Sequence, residues 1–240
     1  MSRPADRLCA ALDGNDRSWI LNTADTLSGA CGWLKVGLEA FTAFGPALIE
    51  EVAASGSRVF LDLKLHDIPN TVRGAAKVCA ASGAALFNVH ASGGRPMMEA
   101  ALEGAAGGAP AGSPRPQVIA VTVLTSLDRQ VLDQLGIHTD PAELVIRWAQ
   151  LAQASGLDGV VASAKEAGAI RAACGREFLI VTPGIRPRWA AADDQRRIVT
   201  PSDAVAAGAD ILVVGRPITR AADPAAAAAR ILEEIAGGDS

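Results

Sequence analysis

The chain has 240 residues, 50% of them hydrophobic and 20% charged, which excludes a disordered polymer and provides for a large core. With 22 Lys and Arg against 26 Asp and Glu the net charge is −4, so no basic excess points to nucleic acid. No apolar stretch approaches the roughly 20 residues of a membrane span. The opening MSRPADRL carries charge where a secretory leader needs an apolar run. The expectation is a cytoplasmic protein that binds neither membrane nor nucleic acid. Cys9, Cys31, Cys79 and Cys174 form no CxxC pair and read as small buried hydrophobes.

Eight short apolar runs follow one another: Leu8–Leu12, Trp33–Leu38, Val59–Lys64, Leu86–His90, Val118–Leu124, Gly159–Ala162, Phe178–Val181 and Ile211–Val214. Near-continuous apolar runs of this length are the pattern of parallel strands buried on both faces. Helical patterns separate them. Asp140-Pro141 with Glu143, and Ser163 with Glu166, have the spacing of capping boxes, and Thr200-Pro201 and Asp223-Pro224 place a cap before a first-turn proline. Gly56, Gly83, Gly156, Gly175 and Gly208 fall where helices should stop. Gly107–Pro116 reads as a mobile connector. The first run continues as Asp13-Gly14-Asn15, so the GxGxxG of a dinucleotide-binding sheet is absent. The predicted fold is α/β, a (β/α)8 barrel in one domain over residues 1–240.

In such a barrel, polar residues at the C-terminal strand ends face the active site. The third run is the most informative. Side chains alternate along a strand, so Asp62 and Lys64 share one side, while Leu61, Leu63 and Leu65 share the other and belong against helices. Two charges in a barrel mouth require partners, and Lys35 and Asp67 are candidates. A structural ion pair at the rim is the alternative. The chain has 18 arginines and four lysines, Lys35, Lys64, Lys77 and Lys165, and two of the four lie in apolar runs. Lysine can give up a proton where arginine cannot. After the eighth run, Gly215-Arg216 offers close backbone approach and a forked cation for phosphate, with Arg186 on the preceding loop. His90 and His66 read as supporting groups, and His138 as solvated.

The segment Asp62-Leu-Lys64-Leu-His66-Asp67-Ile68-Pro69-Asn70-Thr71 resembles the signature of the orotidine 5′-phosphate decarboxylase family. Ala11-Leu12-Asp13, Leu34-Lys35-Val-Gly, Asn88-Val-His90-Ala-Ser-Gly-Gly, Val123-Leu124-Thr125-Ser126, Thr182-Pro183-Gly-Ile-Arg186-Pro and Val214-Gly215-Arg216-Pro-Ile match in family order.

The resemblance implies conversion of orotidine 5′-monophosphate to uridine 5′-monophosphate and CO2, the last step of de novo pyrimidine synthesis. It implies Lys64 as proton donor to pyrimidine C6 and Asp62 beside the departing carboxylate. Lys35 and Asp67 would complete an alternating charged array. Asp13 and Lys35 would hold ribose hydroxyls, and Thr125, or its neighbour Ser126, the pyrimidine. Pro183 would line the substrate site, and Arg186, Gln195, Gly215 and Arg216 would hold phosphate. Asp67, Ile68 and Thr71 would reach the other subunit's site in a homodimer. No metal, pyridoxal phosphate or thiamine is implied.

Two rivals differ in chemistry. A magnesium-dependent sugar-phosphate enzyme of the same wider group would need an acid where Lys35 stands. A silent phosphate-ligand barrel would need only Arg186, Gly215 and Arg216, leaving the charged array unexplained.

Overall fold

The computed structural model describes residues 3–190 and 199–237. Eight parallel strands close into a barrel in sequence order. They are β1 (Leu8–Ala11), β2 (Trp33–Gly37), β3 (Arg58–Leu65), β4 (Leu86–His90), β5 (Gln117–Val121), β6 (Gly159–Val161), β7 (Leu179–Thr182) and β8 (Ile211–Val214). β1 pairs with β2 on one side and β8 on the other. The helices among the described residues are α1 (Arg17–Thr26), α2 (Leu38–Phe44), α3 (Ala47–Ala53), α4 (Pro69–Ala81), α5 (Gly94–Gly108), α6 (Arg129–Gln134), α7 (Pro141–Ala154), α8 (Ala164–Cys174), α9 (Pro201–Ala206), α10 (Arg216–Thr219) and α11 (Pro224–Gly237).

Strand alternation divides the core in two. Leu8, Ala10 and Leu12 of the first run join the larger cluster, which lies between strands and helices. Cys9 and Ala11 join the smaller one inside the barrel, with Trp33, Phe60, Leu86, Ile119, Val181, Ile211 and Val213. The interior is therefore filled at its base and changes character only at the C-terminal strand ends. At the opposite end, Arg115 forks onto Asp158 (2.7 and 3.0 Å), which also accepts the Val118 N–H. Asp210 repeats the device with Arg171 and the Ile180 N–H. These pairs tie the strand starts together on the face associated with stability.

All four cysteines are free and buried. Burial pushes the Cys31 thiol up to about 12 and the Cys79 thiol up to about 11, so neither is a thiolate at neutral pH. No helix among the described residues is long and apolar enough to cross a membrane.

Three local expectations need adjustment. The fifth strand stops at Val121, the last residue that pairs with both His90 of β4 and Val161 of β6. Gly107 and Gly108 belong to α5 rather than to a connector. A Cβ on Gly104 would lie 2.3 Å from the Arg73 carbonyl oxygen, and one on Gly108 2.1 Å from that of Lys77. These glycines are therefore the contact by which α5 lies directly on α4. Of the proposed capping boxes, Asp140 caps α7 through the N–H groups of Ala142 and Glu143, without a reciprocal bond from Glu143. Ser163 instead donates its hydroxyl to Glu166, while Thr200 forms a full box with Asp203. The five predicted stop glycines all adopt the left-handed φ that ends a helix.

Candidate active site

Four charged side chains form a chain across the C-terminal mouth of β1 to β3. Lys35 Nζ donates to Asp13 Oδ1 at 2.7 Å and lies 3.4 Å from Asp62 Oδ2. Lys64 Nζ donates to Asp62 Oδ1 at 2.6 Å. The order is Asp13–Lys35–Asp62–Lys64. Asp67, expected beside this group, is exposed and turns its carboxylate to the Ile68 N–H at 2.6 Å. Asp67, Ile68 and Thr71 stand at the exposed start of α4 and line neither of the two adjoining cavities at the barrel mouth.

Burial sets the electrostatics. Burial works to lower the Lys35 pKa, but the carboxylates of Asp62 and Asp13 outweigh it and raise the pKa above the usual 10.5. Burial likewise works against the Asp62 anion. Lys35, Lys64 and the Asn88 amide outweigh that too and hold the carboxyl below its usual 3.8. Both groups are charged at neutral pH. A Cβ on Gly37 would lie 2.8 Å from Asp13 Oδ1 and 3.0 Å from Lys35 Nζ, so the small residue makes room for that pair.

The third strand is less regular than alternation implies. Leu61, Leu63 and Leu65 do pack toward the helix layer. Yet β3 pairs with β4 as Leu61↔Phe87 and then as Leu65↔Val89, a register shift of two residues. Lys64 sits in that bulge with φ 55°, the one non-glycine residue with positive φ among those described. Such a conformation stores on the order of 1–3 kcal/mol. Asn88 lies opposite, fully buried. Its Oδ1 accepts the Lys64 N–H and its Nδ2 donates to Asp62 Oδ1, both at 2.7 Å. Sequence reasoning did not single out Asn88 as a site residue. The available signal was a lone amide at an inward position of an otherwise apolar strand.

Lys35, Asp62 and Lys64 close one end of a cavity of about 220 Å3. Its other walls are mostly apolar, from Phe60, Val121, Val161, Val181 and Val213, with Thr125 and Pro183 at the rim. Val213 is shared with a second cavity of about 430 Å3, lined by Asp13, Arg186, Gly215 and Arg216. The mouth thus joins an apolar slot with charges at one end to a compartment bearing two guanidinium groups. Gln195 lies outside the described residues. His66 and His90 pack ring to ring at 5.3 Å beside the site, and burial together with His66 and Lys64 lowers the His90 pKa. His138 is exposed and meets Asp133.

Against known proteins, the model of the orotidine 5′-phosphate decarboxylase / HUMPS family matches residues 6–231. The chain is 53% identical over 232 residues to the orotidine 5′-phosphate decarboxylase of Moorella thermoacetica, covering 96% of this chain and 92% of that one. It is 53% identical over 234 residues to the enzyme of that name from Chromobacterium violaceum, covering 98% and 93%. The crystal structure of orotidine 5′-phosphate decarboxylase from Lactobacillus acidophilus superposes with a TM-score of 0.87 at 38% identity, covering 96% of this chain and 99% of that one. With an eightfold barrel, a charged mouth and similarity along nearly its whole length, this chain belongs to the orotidine 5′-phosphate decarboxylase / HUMPS family.

Proposed function

We propose that this protein decarboxylates orotidine 5′-monophosphate to uridine 5′-monophosphate and CO2, the closing step of de novo pyrimidine synthesis, as one catalytic domain. The observation that carries this reading is the Asp62–Lys64 pair at the end of an apolar slot that adjoins the Arg186 and Arg216 compartment. A nucleotide has the matching parts: a flat ring for the slot, a ribose near Asp13 and Lys35, and a phosphate for Gly215 and the two arginines. Thr125 and Pro183 would flank the ring.

Substrate binding brings a carboxylate up to Asp62. At about 4 Å and an effective dielectric near 20, two such charges repel by roughly 4 kcal/mol. Asp62 cannot relieve this by taking a proton, since Lys35, Lys64 and Asn88 favour its anion. The repulsion disappears as neutral CO2 departs. The electron pair left on C6 is then attracted to the Lys64 ammonium, which hands it a proton. Both changes favour the transition state over the bound substrate, and only such differences accelerate a step. The phosphate compartment supplies binding energy away from C6 that holds the ring against Asp62. Lys35 occupies the position where a magnesium-dependent relative would need an acid, so its ammonium neutralises Asp62 in place of a metal.

We further propose a homodimer in which Asp67, Ile68 and Thr71 serve the neighbouring subunit's site. Ile68 is 67% exposed beside the charged signature, an apolar side chain with no cover in the single chain.

The test is the absorbance of orotidine 5′-monophosphate on adding chelator-treated protein, with CO2 trapped in parallel. Loss of absorbance with matching CO2 is expected. Tight binding of uridine 5′-monophosphate without CO2 release would mean a silent nucleotide-binding barrel, and restoration by magnesium a metal-dependent enzyme.

A further inference from the structure

We infer that Asn88 is a positioning residue of this site: its amide holds Lys64 in the left-handed backbone conformation and fixes the Asp62 carboxylate, so that acid and anion meet the substrate in one arrangement. The inference rests on the decarboxylase reading above and adds a residue to it.

The geometry begins with the bulge. Between its two paired stretches β3 has three residues, Asp62, Leu63 and Lys64, where β4 has only Asn88. The ladder therefore has no backbone acceptor for the Lys64 N–H, which would be orphaned in a partly buried strand. The Asn88 Oδ1 takes the place of the missing carbonyl at 2.7 Å. The same amide turns its Nδ2 to Asp62 Oδ1 at 2.7 Å, the oxygen that also receives Lys64 Nζ. One side chain thus secures the backbone of Lys64 and the carboxylate that its ammonium touches.

The amide's orientation follows from chemistry. A backbone N–H only donates and a carboxylate only accepts, so one of the two amide flips satisfies both. No apolar residue of similar size could serve either group. A carboxyl could serve both only while protonated, with its carbonyl oxygen toward Lys64 N–H and its hydroxyl toward Asp62. Asn88 is fully buried, so bulk water does not compete for either bond. A β3 bulge without this amide has no reason to keep φ at 55°, and relaxation of Lys64 would swing its ammonium away from Asp62.

The experiment uses the full-length protein with two near-isosteric substitutions. Asn88→Leu removes both bonds. Its kcat is expected to fall about 100-fold, the scale of an ångström-level misplacement, while KM and the affinity for uridine 5′-monophosphate stay within about threefold. Asn88→Asp is the diagnostic variant. A proton shared between residue 88 and Asp62 restores both bonds, so the ratio of variant to parent kcat should fall as pH rises across about pH 5 to 9. The neighbouring titratable groups are Asp62 and Lys64 on β3, Lys35 on β2, Asp13 after β1, His90 on β4 and His66 after β3. They are present in parent and variant alike, and the ratio removes their common contribution.

A merely structural role would lower stability and leave that ratio flat. A flat ratio, or Asn88→Leu turnover within threefold of the parent, overturns the inference. Should Asn88→Leu fail to fold, the Asn88→Asp profile decides alone. A parent that releases no CO2 removes the decarboxylase reading itself and this inference with it, a result distinct from an active parent with an indifferent position 88.

Discussion

Asp13 and Lys35 join the two compartments of the mouth. Asp13 lines the cavity of Arg186 and Arg216, and its carboxylate accepts a 2.7 Å hydrogen bond from Lys35, which lines the apolar slot. Gly37 makes this contact possible by leaving no Cβ between them. Gly37→Ala should therefore displace both charges. Its φ of −94° suits alanine, so the effect is steric and confined to the site. We expect a loss of about tenfold or more in kcat/KM with little change in thermal midpoint. Unchanged kcat/KM would show that the Asp13–Lys35 geometry does not matter for turnover.

Lys64→Ala removes the proposed acid. Removal of general acid catalysis typically lowers rates about 100- to 10,000-fold. Turnover should fall by at least that range, while calorimetry should still detect uridine 5′-monophosphate, held by the phosphate compartment. Near-parental turnover would contradict the role.

Arg216→Ala tests the anion compartment. Loss of a charge-assisted contact is worth about 1.5–3 kcal/mol, or roughly 10- to 150-fold in affinity. That loss should appear for the nucleotide and be nearly absent for the nucleoside uridine. Equal losses for both would place the phosphate elsewhere.

The proposed sharing of sites between subunits gives a complementation test. Lys64→Ala and Asp67→Ala proteins are each expected to be nearly inactive. Mixed after reversible dissociation, they should recover activity, because a heterodimer has one site with both residues intact. No recovery with heterodimers verified by mass spectrometry would confine each site to one chain.

Stability should carry the signature of the charged array. The Asp62 carboxyl is held below its usual 3.8, so its contribution is complete above about pH 4 and is lost as pH falls through the folded-state value. Lys35 is held above its usual 10.5, so its contribution is complete below that pH and is lost as pH rises through the folded-state value. Urea titrations of the parent and of Asp62→Asn should differ by a gap that narrows as pH falls below about 4, with a smaller change nearer neutral pH where His90, whose pKa the Asp62 carboxylate raises against the effect of burial, takes up its proton. A gap that does not narrow below about pH 4 would contradict this assignment.

Much of this architecture was legible because the physics behind it is local. Buried parallel strands need continuous apolar runs, and helix ends need left-handed glycines, so the β-strands and the five stop glycines could be read one segment at a time. Lys35, Asp62 and Lys64 were legible because charge inside apolar runs demands partners. What could not be read was anything set by register. The two-residue slip between β3 and β4 depends on a pairing made in space, and Asn88 gains its importance only from that slip. The partner of Lys35 was equally hidden. Asp13 meets it because β1 and β2 align Ala11 with Lys35, whereas Asp67, close to Lys64 in the chain, turns outward at the start of α4. The place of Gly108 in α5 was masked by composition, since glycine reads as a loop until a neighbouring helix requires its smallness.

Because β1 pairs with β8, the ring stays open until the final strand has been made. During synthesis, a chain that has emerged only through α9 carries the charged array but exposes two raw sheet edges, and Gly215 and Arg216 cannot yet join it. The compartment of Arg186 and Arg216 is therefore assembled only when the last strand joins the ring, and a product truncated before that point is a substrate for chaperones or aggregation.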